Sequence, residues 1–222
     1  MSNPMIGKLI RKELALNRFF IVGALFAGLV SLAIGLIGRL AFGVGAIMFL
    51  TVVIAYAVIL PMFTIVNERK EKSRLFVLSL PVSRGDYLVA KVIGVTVSFL
   101  IPWSVLLAAA LAVILASPVP DGMLVYTTLI MLFAFADFCV IACAATLIDK
   151  EGLMALVIIC MNMSVTFFIV GLGSLTSIGP DITRNVVNWS PAALTILGSE
   201  VAAIVAAFLI LFWIAGREPE VV

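Results

Sequence analysis

The sequence predicts an all-α polytopic membrane protein with six transmembrane helices, and three observations carry that expectation. Hydrophobic residues make up 64% of the 222 positions, charged residues 12%, and the mean hydropathy is +1.29. A soluble domain of this length could not present so much apolar surface without aggregating. Six apolar runs reach the about 20 residues needed to cross the hydrocarbon core. They are 19–37, 44–66, 88–116, 123–148, 153–175 and 192–215, forming a single transmembrane domain over 1–222. The charges fall between these runs. Runs of this length are helices, because a barrel strand would show segments of about 10 residues in strict alternation.

Alternating the loops between two sides puts twelve basic residues on one: Lys8, Arg11, Lys12, Arg18, Arg69, Lys70, Lys72, Arg74, Arg84, Lys91, Lys150 and Arg217. The other side holds two, Arg39 and Arg184. Positive charge is retained inside, so both termini are expected in the cytoplasm and the protein in the cell (inner) membrane. The net charge of +2 gives no footprint for nucleic acid. The first run is span-length and lacks a small-residue cleavage site, so it is expected to stay as an anchor rather than be removed as a signal peptide.

Before the first span, Met5 to Arg18 reads as an N-terminal interfacial amphipathic helix. Ile6, Leu9, Ile10 and Leu14 gather on one side, Lys8, Arg11, Lys12 and Arg18 on the other. A basic flank that only orients the first span is the other reading. Within that span Gly23, Ala27, Ser31 and Gly35 recur every four residues, a small-residue ridge that lets another helix approach closely. Gly35, Gly38, Gly43 and Gly45 then surround Arg39 in a short turn, from which Arg39 can snorkel to the lipid headgroups.

The segment from Asn67 to Lys91 is the most charged connection, with six of the fourteen Lys and Arg residues. Glu68 to Leu80 has no Gly or Pro and turns apolar at Leu75, Phe76, Leu78 and Leu80, which predicts a short helix ended by Pro81. Ser83 followed by Asp86 has capping-box spacing and starts the third span. From these residues alone the loop is either a basic connector resting on the membrane or a rigid knob that docks on a soluble partner.

The order of parts here is a Glu68-Arg69 pair leaving a span, a basic helix, the run LSLPVSR at 78–84 and DYLVAK at 86–91. It resembles the cytoplasmic coupling segment of type-two ATP-binding-cassette (ABC) exporter permeases, and LIRKELALNR at 9–18 is similar to their entry segment. The resemblance implies a coupling helix between helices 2 and 3, with Glu68, Arg69, Lys70, Lys72, Arg74, Leu75 and Phe76 meeting an ABC ATPase. It also implies export of hydrophobic or amphipathic cargo such as peptides, lipids or drugs, and pairing with a second permease copy or paralogue within membrane lipid. In larger relatives the connection equivalent to Thr176–Ser190 folds into re-entrant helices that cap the path; here it is shorter. Trp189 suits the aromatic belt, and Pro191 the first turn of the last helix.

Asp137 in the fourth span and Glu200 in the sixth are ionisable groups at a depth where exposure to lipid is costly. With Asn162 of the fifth span they either line a translocation path or form a polar clamp, Asn162 being level with Asp137. Counted from the span ends, Asp137 and Glu200 differ in depth by about 9 Å, which argues against a shared-proton pair and an intramembrane hydrolase. Cys139 and Cys143 share a helix face, but the chain has no histidine; the third and fourth ligands of a metal site are missing, and packing is expected. All three cysteines fall inside spans, so no disulfide framework is expected.

Lack of histidine also excludes a Ser-His-Asp triad and an H-E-x-x-H site, and no G-x-x-x-x-G-K-[ST] phosphate loop occurs. No catalytic residue or cofactor is therefore expected in this chain, with ATP and Mg bound by the partner ATPase. A non-transporting scaffold or immunity protein that binds a cytoplasmic partner through 67–91 is the alternative.

Overall fold

The computed structural model describes residues 3–67, 84–148 and 150–215. Six long helices hold nearly all of them: α1 (Asn3–Gly35), α2 (Arg39–Pro61), α3 (Arg84–Ala116), α4 (Met123–Leu147), α5 (Glu151–Ser174) and α6 (Pro191–Ala215). A π-helical turn, Met62–Val66, prolongs α2 beyond Pro61. Each helix, α2 with that turn, is long and apolar enough to cross a membrane. Among the described residues there is no strand. A helix satisfies its backbone groups internally, which a chain in hydrocarbon must do.

The first helix corrects one expectation. Met5–Arg18 does not form a separate interfacial helix; it runs without a break into the first span as one helix of 33 residues. Its polar residues Glu13 and Asn17 are 4% and 2% exposed and bond to α3, so this part of α1 packs on a helix rather than lying flat on headgroups.

The small-residue ridge is used in part, and within the chain. A Cβ on Gly45 of α2 would lie 2.7 Å from the Ser31 carbonyl and the Gly35 nitrogen, so only glycine permits this approach of α2 to α1. Gly28, one residue round from Ala27, receives Leu106 of α3, whereas Gly23 faces open space. The glycine turn is shorter than expected, because α2 starts at Arg39 and takes in Gly43 and Gly45.

Helices α1 and α3 run parallel and in register. Glu13 meets Lys91 and Gly28 meets Leu106, each pair 78 residues apart (91−13 and 106−28). Gly94 allows the close approach near the first pair, since a Cβ there would lie 2.8 Å from the Glu13 Cβ. Helix α4 is the hub, packing on α2, α3, α5 and α6. It is apolar all round, as a helix surrounded by others must be. Phe138 of α4 stacks on Phe99 of α3 with ring centres 4.1 Å apart, and Phe99 stacks in turn on Tyr56 of α2 at 5.6 Å.

At the end of the bundle away from the N-terminus, the connection between α5 and α6 docks on the α3–α4 turn. The Gly122 N–H donates to the Arg184 carbonyl at 2.9 Å, and Gly122 leaves no room for a Cβ beside the Asp181 carbonyl. This connection forms one 3-10 turn, Gly179–Thr183, and α6 then begins at Pro191. The Ser190 hydroxyl caps α6 by accepting from the Ala193 N–H at 3.2 Å.

Candidate functional site

The residues expected to couple to an ATPase, Glu68, Arg69, Lys70, Lys72, Arg74, Leu75 and Phe76, lie outside the described residues, as does Ser83. The root from which that segment leaves and to which it returns is described. The segment departs after the π-helical turn, where Phe63 packs on Phe20 of α1 with ring centres 5.2 Å apart. It rejoins the bundle at Arg84, the first residue of α3.

Two turns into α3, the Lys91 ammonium donates to the Glu13 carboxylate at 3.0 Å, with the two side chains 6% and 5% exposed. Lys91 is therefore an interior residue, and the basic count of that face falls from twelve to eleven. Taking two charges out of water is expensive, and the bond between them offsets part of that cost. Removing one partner of a buried pair costs about 3–5 kcal/mol.

Deeper on the same seam, Pro102 interrupts α3 and has no N–H to give the carbonyl four residues earlier, that of Ser98. The Tyr56 hydroxyl of α2 supplies the missing donor, reaching the Ser98 carbonyl at 2.8 Å. The Ser98 hydroxyl donates to Gly94 at 2.8 Å and accepts from the Asn17 amide of α1 at 3.4 Å. One polar seam thus ties α1, α2 and α3 together below the root of the basic segment. Each bond in it replaces one that water cannot make at this depth.

The structure places the expected path residues differently from the depth count. The Cys143 thiol of α4 donates to the Ala207 carbonyl of α6 at 3.2 Å, and Leu129 shares a cluster with Ala193. The bonded pair is 64 residues apart (207−143), and with α4 and α6 running the same way this sets Glu200 beside Ala136 and level with Asp137 rather than about 9 Å away. Among the described residues neither carboxyl has a hydrogen-bond partner. The expected Asp137–Asn162 clamp is absent too, since the Asn162 amide donates to the Ile158 carbonyl of its own helix at 2.9 Å. Asp137 and Glu200 are 1% and 5% exposed. Cys139 packs in the core beside the bonded Cys143, and among the described residues no three acidic or cysteine side chains gather as metal ligands.

Residues 37–215 match the sequence model of a family described as ABC-2 family transporter protein. The chain belongs to the ABC-2 transporter family. As an ABC-2 permease it is a component of a membrane transporter, a transport subunit rather than the catalytic one, and the family implies partnership with an ABC ATPase. No curated protein and no solved structure matches the chain. The match begins at residue 37, so all of α1 and its contribution to the polar seam lie outside it.

Sequence reasoning assigned this permease a basic loop and missed the seam beneath it. Lys91 was counted with the loop charges, and Glu13, Asn17, Tyr56 and Ser98 were given no role. Pro102 carried a legible signal, because a proline inside a span calls for a substitute donor to the carbonyl it strands.

Tyr56→Phe should lower thermal stability in detergent by about 1–3 kcal/mol, by stranding the Ser98 carbonyl. In a Pro102→Ala background, where residue 102 can donate its own N–H, the same change should cost much less. Thermal unfolding of the four proteins measures this, and strictly additive single effects would show that the hydroxyl does not serve that carbonyl.

Proposed function

We propose that this chain is the membrane-spanning permease subunit of an ATP-driven ABC exporter. It moves a hydrophobic or amphipathic substrate such as a peptide, lipid or drug, while a separate subunit binds ATP and Mg and hydrolyses the nucleotide. The observation that carries the reading is the mounting of the basic segment. It springs from two helices that a buried ion pair and a three-helix polar seam fix to α1. A force applied to the segment therefore reaches α1, α2 and α3 together, as a coupling element requires. Family membership supplies the expectation of an ATPase to apply it.

The segment and both termini lie in the cytoplasm in this account. Eleven basic residues against two still favour that orientation after Lys91 is set aside (12−1). Two permease copies, or this chain and a paralogue, together enclose the path, six spans being few for one chain to do so. Asp137 and Glu200 belong to the path and meet water when the packing around α4 opens, because a carboxyl held at this depth without a partner has no structural bond to make. Asp137→Asn should accordingly lower ATP-dependent export from reconstituted vesicles while leaving folded yield and melting temperature close to wild type. A fall in melting temperature with normal export per folded molecule would return Asp137 to a structural role.

Within the segment, Arg69, Lys70, Lys72 and Arg74 steer a soluble partner, and Leu75 and Phe76 provide the desolvated contact. Apolar and aromatic centres dominate contact energies over rim charges. Phe76→Ala should weaken co-purification with the cognate ATPase more than Lys70→Ala does. Added salt should erase the Lys70 effect and leave the Phe76 effect in place, because screening acts on exposed charge. Full binding and normal stimulation of ATP hydrolysis by both variants would move the non-transporting scaffold reading ahead.

A further inference from the structure

Between α1, α2, α3 and α4, in the half of the bundle away from the N-terminus, lies a cavity of about 110 Å³. Phe49, Ala110, Ile114, Ile130 and Met131 are buried side chains of its wall, and they face the bundle interior rather than lipid. The polar groups on the wall are largely turned away: the Ser31 hydroxyl bonds to Ala27 at 2.7 Å and the Tyr126 hydroxyl to Ile169 at 3.2 Å. Water held there would find few partners, so the space is dry, and leaving it empty forfeits the dispersion contacts of its lining. An engineered cavity of about 150 Å³ with such a lining binds benzene, which sets the scale of what fits.

A second, wider space of about 490 Å³ adjoins it at the end of the bundle, with Gly35 and Phe42 in the walls of both. This outer space is bordered by the turns on either side, Leu36 to Gly38 and Ser117 to Pro120. Its character differs, for here the Ser117 hydroxyl is buried without a hydrogen-bond partner. An apolar slot beside a roomier space with an unmet polar group in its wall has the chemistry of an amphiphile's tail and head.

We propose that the two spaces form one binding site for a single-chain amphiphile, with the end of its hydrocarbon chain in the slot and its polar head at Ser117. A two-chain phospholipid fits worse, because about 110 Å³ takes only the end of one chain and the second would have to stay outside. The proposal rests on the transport reading only in taking the bound amphiphile as cargo; occupancy itself needs no ATPase.

The test uses the full chain in lipid nanodiscs, without the ATPase, and two probes nitroxide-labelled near the chain terminus: a fatty acid and a diacyl phosphatidylcholine. The fatty acid should give a motionally restricted signal that saturates, and the diacyl lipid should not. Ala110→Leu and Ala46→Phe, which fill the slot from α3 and α2, should each weaken fatty-acid binding about tenfold, the effect of roughly 1.4 kcal/mol of overpacking. Unlabelled fatty acids of increasing chain length should compete better until the slot is full and then level off, an arm that needs no variant to fold. Signals that fail to saturate, equal restriction of both probes, competition indifferent to chain length, or unchanged binding in a filled variant that melts like wild type would each overturn the site. Such a failure would leave the docking of the basic segment standing, whereas loss of that docking with saturable binding intact would leave a lipid-binding protein that does not transport.

Discussion

A lysine and a glutamate buried against each other between α1 and α3 govern the end of the bundle from which the basic segment leaves. The bond between these two buried charges holds the two helices in one register. Gly94 makes the pairing possible by letting the helices close to within a side chain's width, and Gly28 keeps the same approach further along. With α1 and α3 fixed, Asn17 and Ser98 come within reach, and Tyr56 adds α2 by serving the carbonyl that Pro102 strands. The bonds within hydrocarbon and the small residues that permit them form one unit, each of little use without the others.

That unit contrasts with the other half of the molecule. Around α4 the packing is apolar and aromatic, and the acids it contains, Asp137 and Glu200, have no bonds to make. Polar groups joined across helices resist separation, while apolar seams in a membrane exchange one hydrocarbon contact for another at little net change. The chain thus combines a trio, α1 to α3, joined by a buried ion pair and a polar seam, with a central helix held to α5 and α6 by apolar packing and by the Tyr126–Ile169 and Cys143–Ala207 bonds. This division suits a permease that receives force at one end and must open a path elsewhere.

Much of the fold was legible in the sequence because the membrane allows so few solutions. Length and apolarity alone marked six helices, and Pro191 marked the start of the last. The register between helices was not legible, since it depends on which small residue faces which neighbour; Gly28 and Gly45 make the close contacts, whereas Gly23, on the visible ridge, faces open space. For the same reason the depths of Asp137 and Glu200 were misjudged. Counting from span ends assumes that α4 and α6 start level, whereas the Cys143–Ala207 bond shows α6 offset so that the two acids align. The interfacial helix was misread because amphipathicity does not say whether its polar side meets headgroups or, as at Glu13, another helix. The coupling residues 68–76 rest on the resemblance and lie outside the described residues.

The central claim is that α1 and α3 move as one body when the basic segment is driven. The most direct measurement is the distance distribution between spin labels on Leu16 of α1 and Val105 of α3, both exposed, in nanodiscs with the ATPase through nucleotide turnover. The account predicts one narrow distribution, the same with and without nucleotide, that broadens when Lys91→Met removes the ion pair. A wild-type distribution that shifts during turnover, or one that Lys91→Met leaves narrow and unmoved, would contradict it.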